Sequence, residues 1–256
     1  MTSCGAEPSL IKLSVIIPAY NEAKRLPKYL TAVVQYITEK FGSAAEILVV
    51  DDGSIDETAA LTLKIGKESG LVRVIRLERN RGKGYAVKTG MLAAKGGLRL
   101  FTDADGATPI GELCKLLPAI EAGADIAVAS RALQDDSRRV DSRLSRRIMG
   151  NCFNLLVRSL AVPGIFDTQC GFKLFRGDVA DRLFNLQQIT GFGFDPEVLF
   201  LAHKMSCRVV EIPVNWQDVA GSKVDVIKDS ARMFSDLFTI RMNWHTGAYT
   251  QAAAGK

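Results

Sequence analysis

The residues best suited to chemistry in this 256-residue chain are two carboxylates one position apart, Asp103 and Asp105. They follow the apolar run Leu98-Arg99-Leu100-Phe101-Thr102 and precede the breakers Gly106 and Pro109. Side chains at i and i+2 of an extended segment point the same way, so a strand ending here aims both at a common point. Two hard oxygen donors suit Mg²⁺ or Mn²⁺, ions that keep waters and complete their shells with substrate phosphates. A solvated acidic turn is the competing reading, and the neighbours decide between them. Lys83 sits between Gly82 and Gly84, where a permissive backbone lets an ammonium approach a phosphate. Arg131 closes another apolar run, and Arg138, Arg139, Arg143, Arg146 and Arg147 crowd residues 135–147. Arg143 shares a helical face with Arg146 or Arg147, and forked guanidinium donors suit a second phosphate. The two histidines, His203 and His245, have no nucleophile beside them, which argues against a hydrolytic triad.

These residues need elements that bring them together. Leu13-Ser14-Val15-Ile16-Ile17 and Glu46-Ile47-Leu48-Val49-Val50 read as strands covered on both faces, and Val72 to Leu77 as a third. Between them Leu30, Val33, Val34, Ile37 and Phe41 recur at helical spacing. The alternation of strand and helix predicts an α/β fold with a mostly parallel, helix-covered sheet. In such sheets the ligand crevice lies outside the carboxyl ends of the strands. Tyr20 with Glu22, Asp51 with Asp52, Lys83, and Asp103 with Asp105 all fall at those ends. That common placement favours a functional reading of the carboxylate pair.

Competing motifs fail on single residues. A dinucleotide loop opening at Gly82 needs glycine at 87, where Val87 stands; the nucleotide-triphosphate loop needs glycine at 77 and a hydroxyl at 84, where Leu77 and Gly84 stand. A net charge of +5 with its arginines clustered suits an anionic partner at one place and not a nucleic-acid coat. Five scattered cysteines have no metal-finger or C-x-x-C spacing, which points to reduced thiols in a cytosolic setting. No leader peptide and no run of about 18 apolar residues is seen.

Val15-Ile16-Ile17-Pro18-Ala19-Tyr20-Asn21-Glu22, Val49-Val50-Asp51-Asp52-Gly53-Ser54, Arg81-Gly82-Lys83-Gly84 and Asp103-Ala104-Asp105, in that order, resemble the successive motifs of the family 2 glycosyltransferases, which have a GT-A fold. The resemblance assigns Pro18, Tyr20, Glu22, Asp52, Lys83 and Asp103 to nucleotide contacts. It gives Asp105, with Asp103, a divalent metal on the diphosphate of a nucleotide sugar. Asp167-Thr168-Gln169-Cys170-Gly171-Phe172-Lys173-Leu174-Phe175 and Asn215-Trp216-Gln217-Asp218-Val219-Ala220-Gly221-Ser222-Lys223 are similar to one branch, the dolichyl-phosphate β-glucosyltransferases; Gly191-Phe192-Gly193-Phe194-Asp195 is less so. Related polyprenyl-phosphate mannosyltransferases share parts of both segments.

What the resemblance implies is inverting transfer of glucose from UDP-glucose to a polyprenyl phosphate, with Asp103, Asp105 and Arg131 at the reacting centre. Mannose transfer from GDP-mannose and a polysaccharide-type transfer are the alternatives. Arg131, Arg143, Ser222 and Lys223 would hold the acceptor or the diphosphate, and Gln169, Asp195 and Glu197 the sugar. For the last two, helix-start carboxylates that offset the dipole are an equal alternative. Residues 12–222 are expected to form the GT-A domain, 223–245 an amphipathic helix and 246–256 a disordered tail. Ile227, Ala231, Phe234 and Phe238 mark the helix's apolar stripe, with Met242 and Trp244 off it beside Arg241. Such a helix packs on its own domain or lies on a membrane surface; the second fits a cytoplasmic protein held peripherally where its lipid acceptor lies.

Overall fold

The computed structural model describes residues 11–133, 140–141, 164–219 and 226–250, and the side chains of 140–141 and 226–231 stand outside that description. The chain runs β1 (Leu13–Ala19), α1 (Leu26–Phe41), β2 (Ala45–Asp51), α2 (Thr58–Ser69), β3 (Val72–Arg76), α3 (Lys83–Ala93) and β4 (Leu98–Thr102). It continues α4 (Leu113–Glu121), β5 (Ile126–Ser130), β6 (Val140–Asp141), β7 (Phe172–Arg176), α5 (Gly177–Leu186) and α6 (Phe194–Lys204), then β8 (Val209–Pro213), β9 (Trp216–Gln217) and α7 (Val226–His245). The main sheet has seven strands in the order β3-β2-β1-β4-β7-β5-β8. Its pairings are parallel except at β7, which lies antiparallel to both β4 and β5. Short β6 and β9 pair in parallel beside it.

β1 shows why this sequence becomes the middle of a three-layer sandwich. All seven of its residues are buried, as a strand covered by helices on both faces must be. Side chains alternate between faces, so Leu13, Val15 and Ile17 join Leu26, Leu30, Val33 and Ile37 of α1 in one core. Ile16 points the other way, into a core with Val87 and Met91 of α3 and with residues of α5, α6 and α7. Each fully buried aliphatic side chain contributes about 1.5–3 kcal/mol.

The C-terminal helix departs from expectation in orientation. Its packed face is Met233, Leu237 and Ile240, spaced i, i+4, i+7 and joined to the core beneath α6. Phe234 and Phe238 of the predicted stripe turn outward, 40% and 55% exposed, with Met242 and Trp244 also on the surface. The helix therefore packs on the domain and also presents a second apolar face. Order also runs past the predicted boundary at 245, because Tyr249 is buried and its hydroxyl donates to Glu197 Oε1 at 2.8 Å. Among the described residues no helix is long and apolar enough to cross a membrane.

Candidate active site

The exits of β2, β1 and β4 lie side by side in the sheet, and backbone-to-side-chain bonds lace their loops into one rim. Asn21 has φ +53, a left-handed position that asparagine tolerates. Its amide donates to Ser54 Oγ at 2.8 Å, and its Oδ1 accepts from the Ile55 amide at 2.9 Å. The Glu22 amide donates to Thr58 Oγ1 at 2.7 Å. The Glu22 carboxylate takes both prongs of Arg25, at 2.7 and 2.5 Å. Tyr20 stands exposed at the lip and Pro18 is buried within β1.

Asp52 is a building block of the rim. Its two oxygens accept from the amides of Arg81 at 2.7 Å and Gly82 at 2.9 Å, which fixes the loop that delivers Lys83. Burial pushes its carboxyl above the usual range, and those two amides pull it part of the way back. The glycines beside Lys83 also have a packing reason. A Cβ on Gly82 would lie 2.5 Å from the Thr190 carbonyl oxygen, and one on Gly84 2.6 Å from that of Ile189. Their absence lets the start of α3 press against the turn before α6.

Lys83 Nζ then reaches Asp103 Oδ1 at 2.6 Å. Burial opposes its charge, but Asp103 and Asp195 outweigh it, so the ammonium is held more firmly than usual. Asp105 lies close by. Its Oδ1 accepts from the Ala107 amide at 3.0 Å and its Oδ2 lies 3.6 Å from Arg25 Nη1. Burial first, then the Asp103 charge, raises the Asp105 carboxyl above its ordinary range. Both carboxylates lie in the turn after β4 and not in an extended segment, close enough for the Asp103 charge to act on Asp105.

The second half of the chain supplies the opposite wall. Arg131, at the exit of β5, grips Asp167 through Nε at 2.8 Å and Nη2 at 2.9 Å, and the Arg131 amide adds a third bond at 2.8 Å. Asp167 is held in turn by its own amide on Glu211 Oε1 at 2.8 Å. Burial works against the Asp167 charge, but Arg131 prevails and the carboxyl is lowered. Trp216 of β9 lies under the guanidinium, 5.4 Å from its carbon, a cation–π arrangement. Gln169, on the same turn, touches Met233 Sδ of α7 at 3.6 Å.

Two sugar-contact expectations change. Glu197 is fully buried, and its oxygens accept from the amides of Gln188 at 2.9 Å and Ile189 at 2.8 Å besides the Tyr249 hydroxyl. It clamps the turn before α6 and the chain after α7 to each other, and has no face for a substrate. Asp195 is also buried, ion-paired with Lys173 of β7; it reaches the site through charge and not by contact with solvent. Arg143, Ser222 and Lys223 lie outside the described residues, as do Arg138, Arg139, Arg146 and Arg147. Three participants escape sequence reading: Arg25, Asp167 as the partner of Arg131, and Lys173. A basic residue three after Glu22 on a helix start is a readable signal for Arg25. So is a lysine inside Phe172-Lys173-Leu174-Phe175, since a fully buried lysine requires a partner.

The donor set fits a hard divalent ion. Asp103 and Asp105 side chains keep 35% and 25% exposure, so both are reachable from solvent. Among the described residues no group of three His, Cys, Asp or Glu converges, which suits Mg²⁺ or Mn²⁺ completed by substrate oxygens better than a protein-only cage. Beside them Arg25 Nη1 is buried without a hydrogen-bond acceptor, a donor left over for an anionic ligand.

The sequence profile of glycosyl transferase family 2 matches residues 14–184. The chain is 39% identical to the dolichyl-phosphate β-glucosyltransferase of Saccharomyces cerevisiae, over 93% of this chain and 77% of that protein. It is 37% identical to the human protein of that name, with the same two coverages. Glucosyl-3-phosphoglycerate synthase from Mycobacterium tuberculosis, solved with Mn²⁺, UDP and phosphoglyceric acid, superposes with a TM-score of 0.69 at 17% identity, covering 90% of this chain and 78% of that one. The likeness establishes the GT-A fold expected from the motifs. The strand-exit motifs, the sheet that carries them and these relatives lead to one assignment: the chain is a glycosyltransferase of family 2.

Proposed function

We propose that the protein transfers glucose from UDP-glucose to a polyprenyl phosphate of the dolichyl type, with inversion at the anomeric carbon. The observation that carries the reading is the rim itself, where Asp105 pairs with Arg25, the half-open Lys83–Asp103 pair stands beside it, and Arg131, gripping Asp167, lies within electrostatic reach of Asp103. The names of the two relatives above support the choice of sugar and acceptor.

In this reading Tyr20, Glu22 and Asp52 frame the base and ribose. Asp52 is 3% exposed and both its oxygens accept backbone amides, so it shapes that pocket by holding the loop that carries Lys83. Asp105, assisted by Asp103, would hold Mg²⁺ or Mn²⁺, which supplies positive charge against the leaving diphosphate. Lys83 exchanges Asp103 for a phosphate oxygen, and Arg25 Nη1 offers a second donor. The acceptor phosphate monoester has its second pKa near about 6. It is largely ionised at neutral pH and needs no general base to attack the anomeric carbon. That agrees with the absence of a histidine from the described rim. Arg131 orients the acceptor; Arg143, Ser222 and Lys223, which the family resemblance assigns to the same phosphate, lie outside the described residues. The outward face of α7, Phe234, Phe238 and Met242, lays the protein on a membrane surface, where interfacial helices bury such side chains.

The test is incubation with Mg²⁺, labelled UDP-glucose and polyprenyl phosphate, with GDP-mannose in a parallel arm. Label entering the organic phase from UDP-glucose alone is the expected result. Transfer only from GDP-mannose moves the protein to the mannosyl branch, and transfer to a sugar hydroxyl without lipid phosphate overturns the acceptor assignment.

A further inference from the structure

Strand β7 enters the sheet antiparallel between β4 and β5, and the turn that feeds it passes directly under Asp103. The Asp103 amide donates to the Gly171 carbonyl at 3.0 Å. The Asp103 carboxylate also lies against the Gly171 Cα. A Cβ built on Gly171 would stand 2.6 Å from Asp103 Oδ1 and closer still to Cγ and Oδ2. Gly171 is not among the residues with positive φ, so its backbone is one any residue adopts. What a side chain here would meet first is the Asp103 carboxylate.

The space that the carboxylate occupies cannot be regained by shifting the backbone. The preceding Cys170 carbonyl accepts from Lys173 Nζ at 2.7 Å. Lys173 is 2% exposed and is itself anchored by Asp195. Gly171 is therefore pinned on its N-terminal side by a buried ammonium and on its C-terminal side by the Asp103 amide. We propose that Gly171 is a positioning residue for the donor site: its missing side chain, held in place by Lys173, seats the Asp103 carboxylate where it meets Lys83 and flanks Asp105. The glycine touches no substrate and acts only through Asp103.

The inference rests on Asp103 belonging to the donor site, and the experiment separates the two claims. Gly171→Ala, Asp103→Ala, the double variant and a control, Gly111→Ala, are compared by thermal melting and by calorimetric titration with UDP in Mn²⁺. A Cβ at Gly111 meets nothing within 4 Å, so the control should match the parent in both readouts. Gly171→Ala is expected to melt lower and to bind UDP at least about tenfold more weakly, because its Cβ forces the carboxylate away. Adding Asp103→Ala removes the colliding group, so the double variant should melt as Asp103→Ala does and bind UDP within about twofold of it. Should Gly171→Ala fail to fold, recovery of a folded double variant supports the proposal in the same way. A double variant that melts as low as Gly171→Ala, or a Gly171→Ala protein with parental UDP affinity, overturns the proposal. A parent that binds no UDP refutes the donor-site reading, while the melting comparison still decides whether Gly171 acts through Asp103.

Discussion

Two lysine–aspartate pairs share one aromatic ring. Lys83 Nζ lies 5.3 Å and Lys173 Nζ 5.8 Å from the centre of Phe101. In the first pair the lysine and aspartate side chains are 22% and 35% exposed; in the second, 2% and 6%. The same chemical pairing therefore serves opposite ends. An ammonium with a route to solvent can leave its carboxylate for an incoming phosphate, whereas a sealed one cannot leave without stranding a charge. The half-open pair is suited to bind and the sealed pair to hold the frame, and Asp195 links them by facing both lysines electrostatically.

This contrast can be broken by substitution. Lys173→Ala leaves Asp195 buried without its ion-pair partner, which should cost about 3–5 kcal/mol of stability, read from denaturant melts. Replacing the pair together, Lys173→Met with Asp195→Leu, should recover most of that loss, because a buried ion pair exchanged for apolar volume is often near neutral. A double variant as unstable as the single one would show that the sealed pair does not act as a unit. The mirror experiment is Lys83→Met. Its stability should stay within about 1 kcal/mol, as for other partly exposed pairs, while the rate of glucose transfer falls about 100-fold, the scale of losing one preorganised charge donor. A large loss of stability with intact transfer would reverse the two roles.

A pH series sharpens the same distinction on the opposite wall. Arg131 holds the Asp167 carboxyl below its usual range, so this group binds fewer protons in the folded state than in the unfolded one. Its contribution is full above the unfolded carboxylate pKa of about 4 and is lost as pH falls through the lower folded value. Asp167→Asn should therefore be less stable than the parent at pH 7, and that gap should narrow in acid. A gap that widens in acid contradicts the pairing. The smallest effect on the fold is expected at the outer face of α7. Phe234→Ser with Phe238→Ser should leave the melting temperature nearly unchanged yet reduce co-sedimentation with anionic vesicles, whereas unchanged co-sedimentation would leave that face without its proposed partner.

The first half of the fold is readable because each β-branched run, helix stripe and strand-exit motif is local. β1 to β4 follow the pattern of Val15, Ile16, Val49 and Leu100, and the carboxylates gather where consecutive parallel strands end. The second half depends on contacts that periodicity does not encode. That β7 inserts antiparallel between β4 and β5 follows from pairing partners far apart in sequence. The packed face of α7 differs from the expected one because both of its faces are apolar, so spacing alone cannot choose Met233, Leu237 and Ile240 over Phe234 and Phe238. Glu197 and Asp195 are ambiguous for a related reason: a carboxylate at a helix start reads alike whether it meets a ligand or a backbone amide. Burial separates the two cases, and burial is a property of the folded chain.

The most direct measurement compares the parent with Asp105→Ala in glucose transfer from UDP-glucose to polyprenyl phosphate, across a titration of Mg²⁺ or Mn²⁺. Metal-dependent transfer by the parent and none above background by a folded Asp105→Ala protein is the predicted result. Transfer by Asp105→Ala at the parental rate and metal dependence would contradict the assignment of the β4 carboxylates to the donor site.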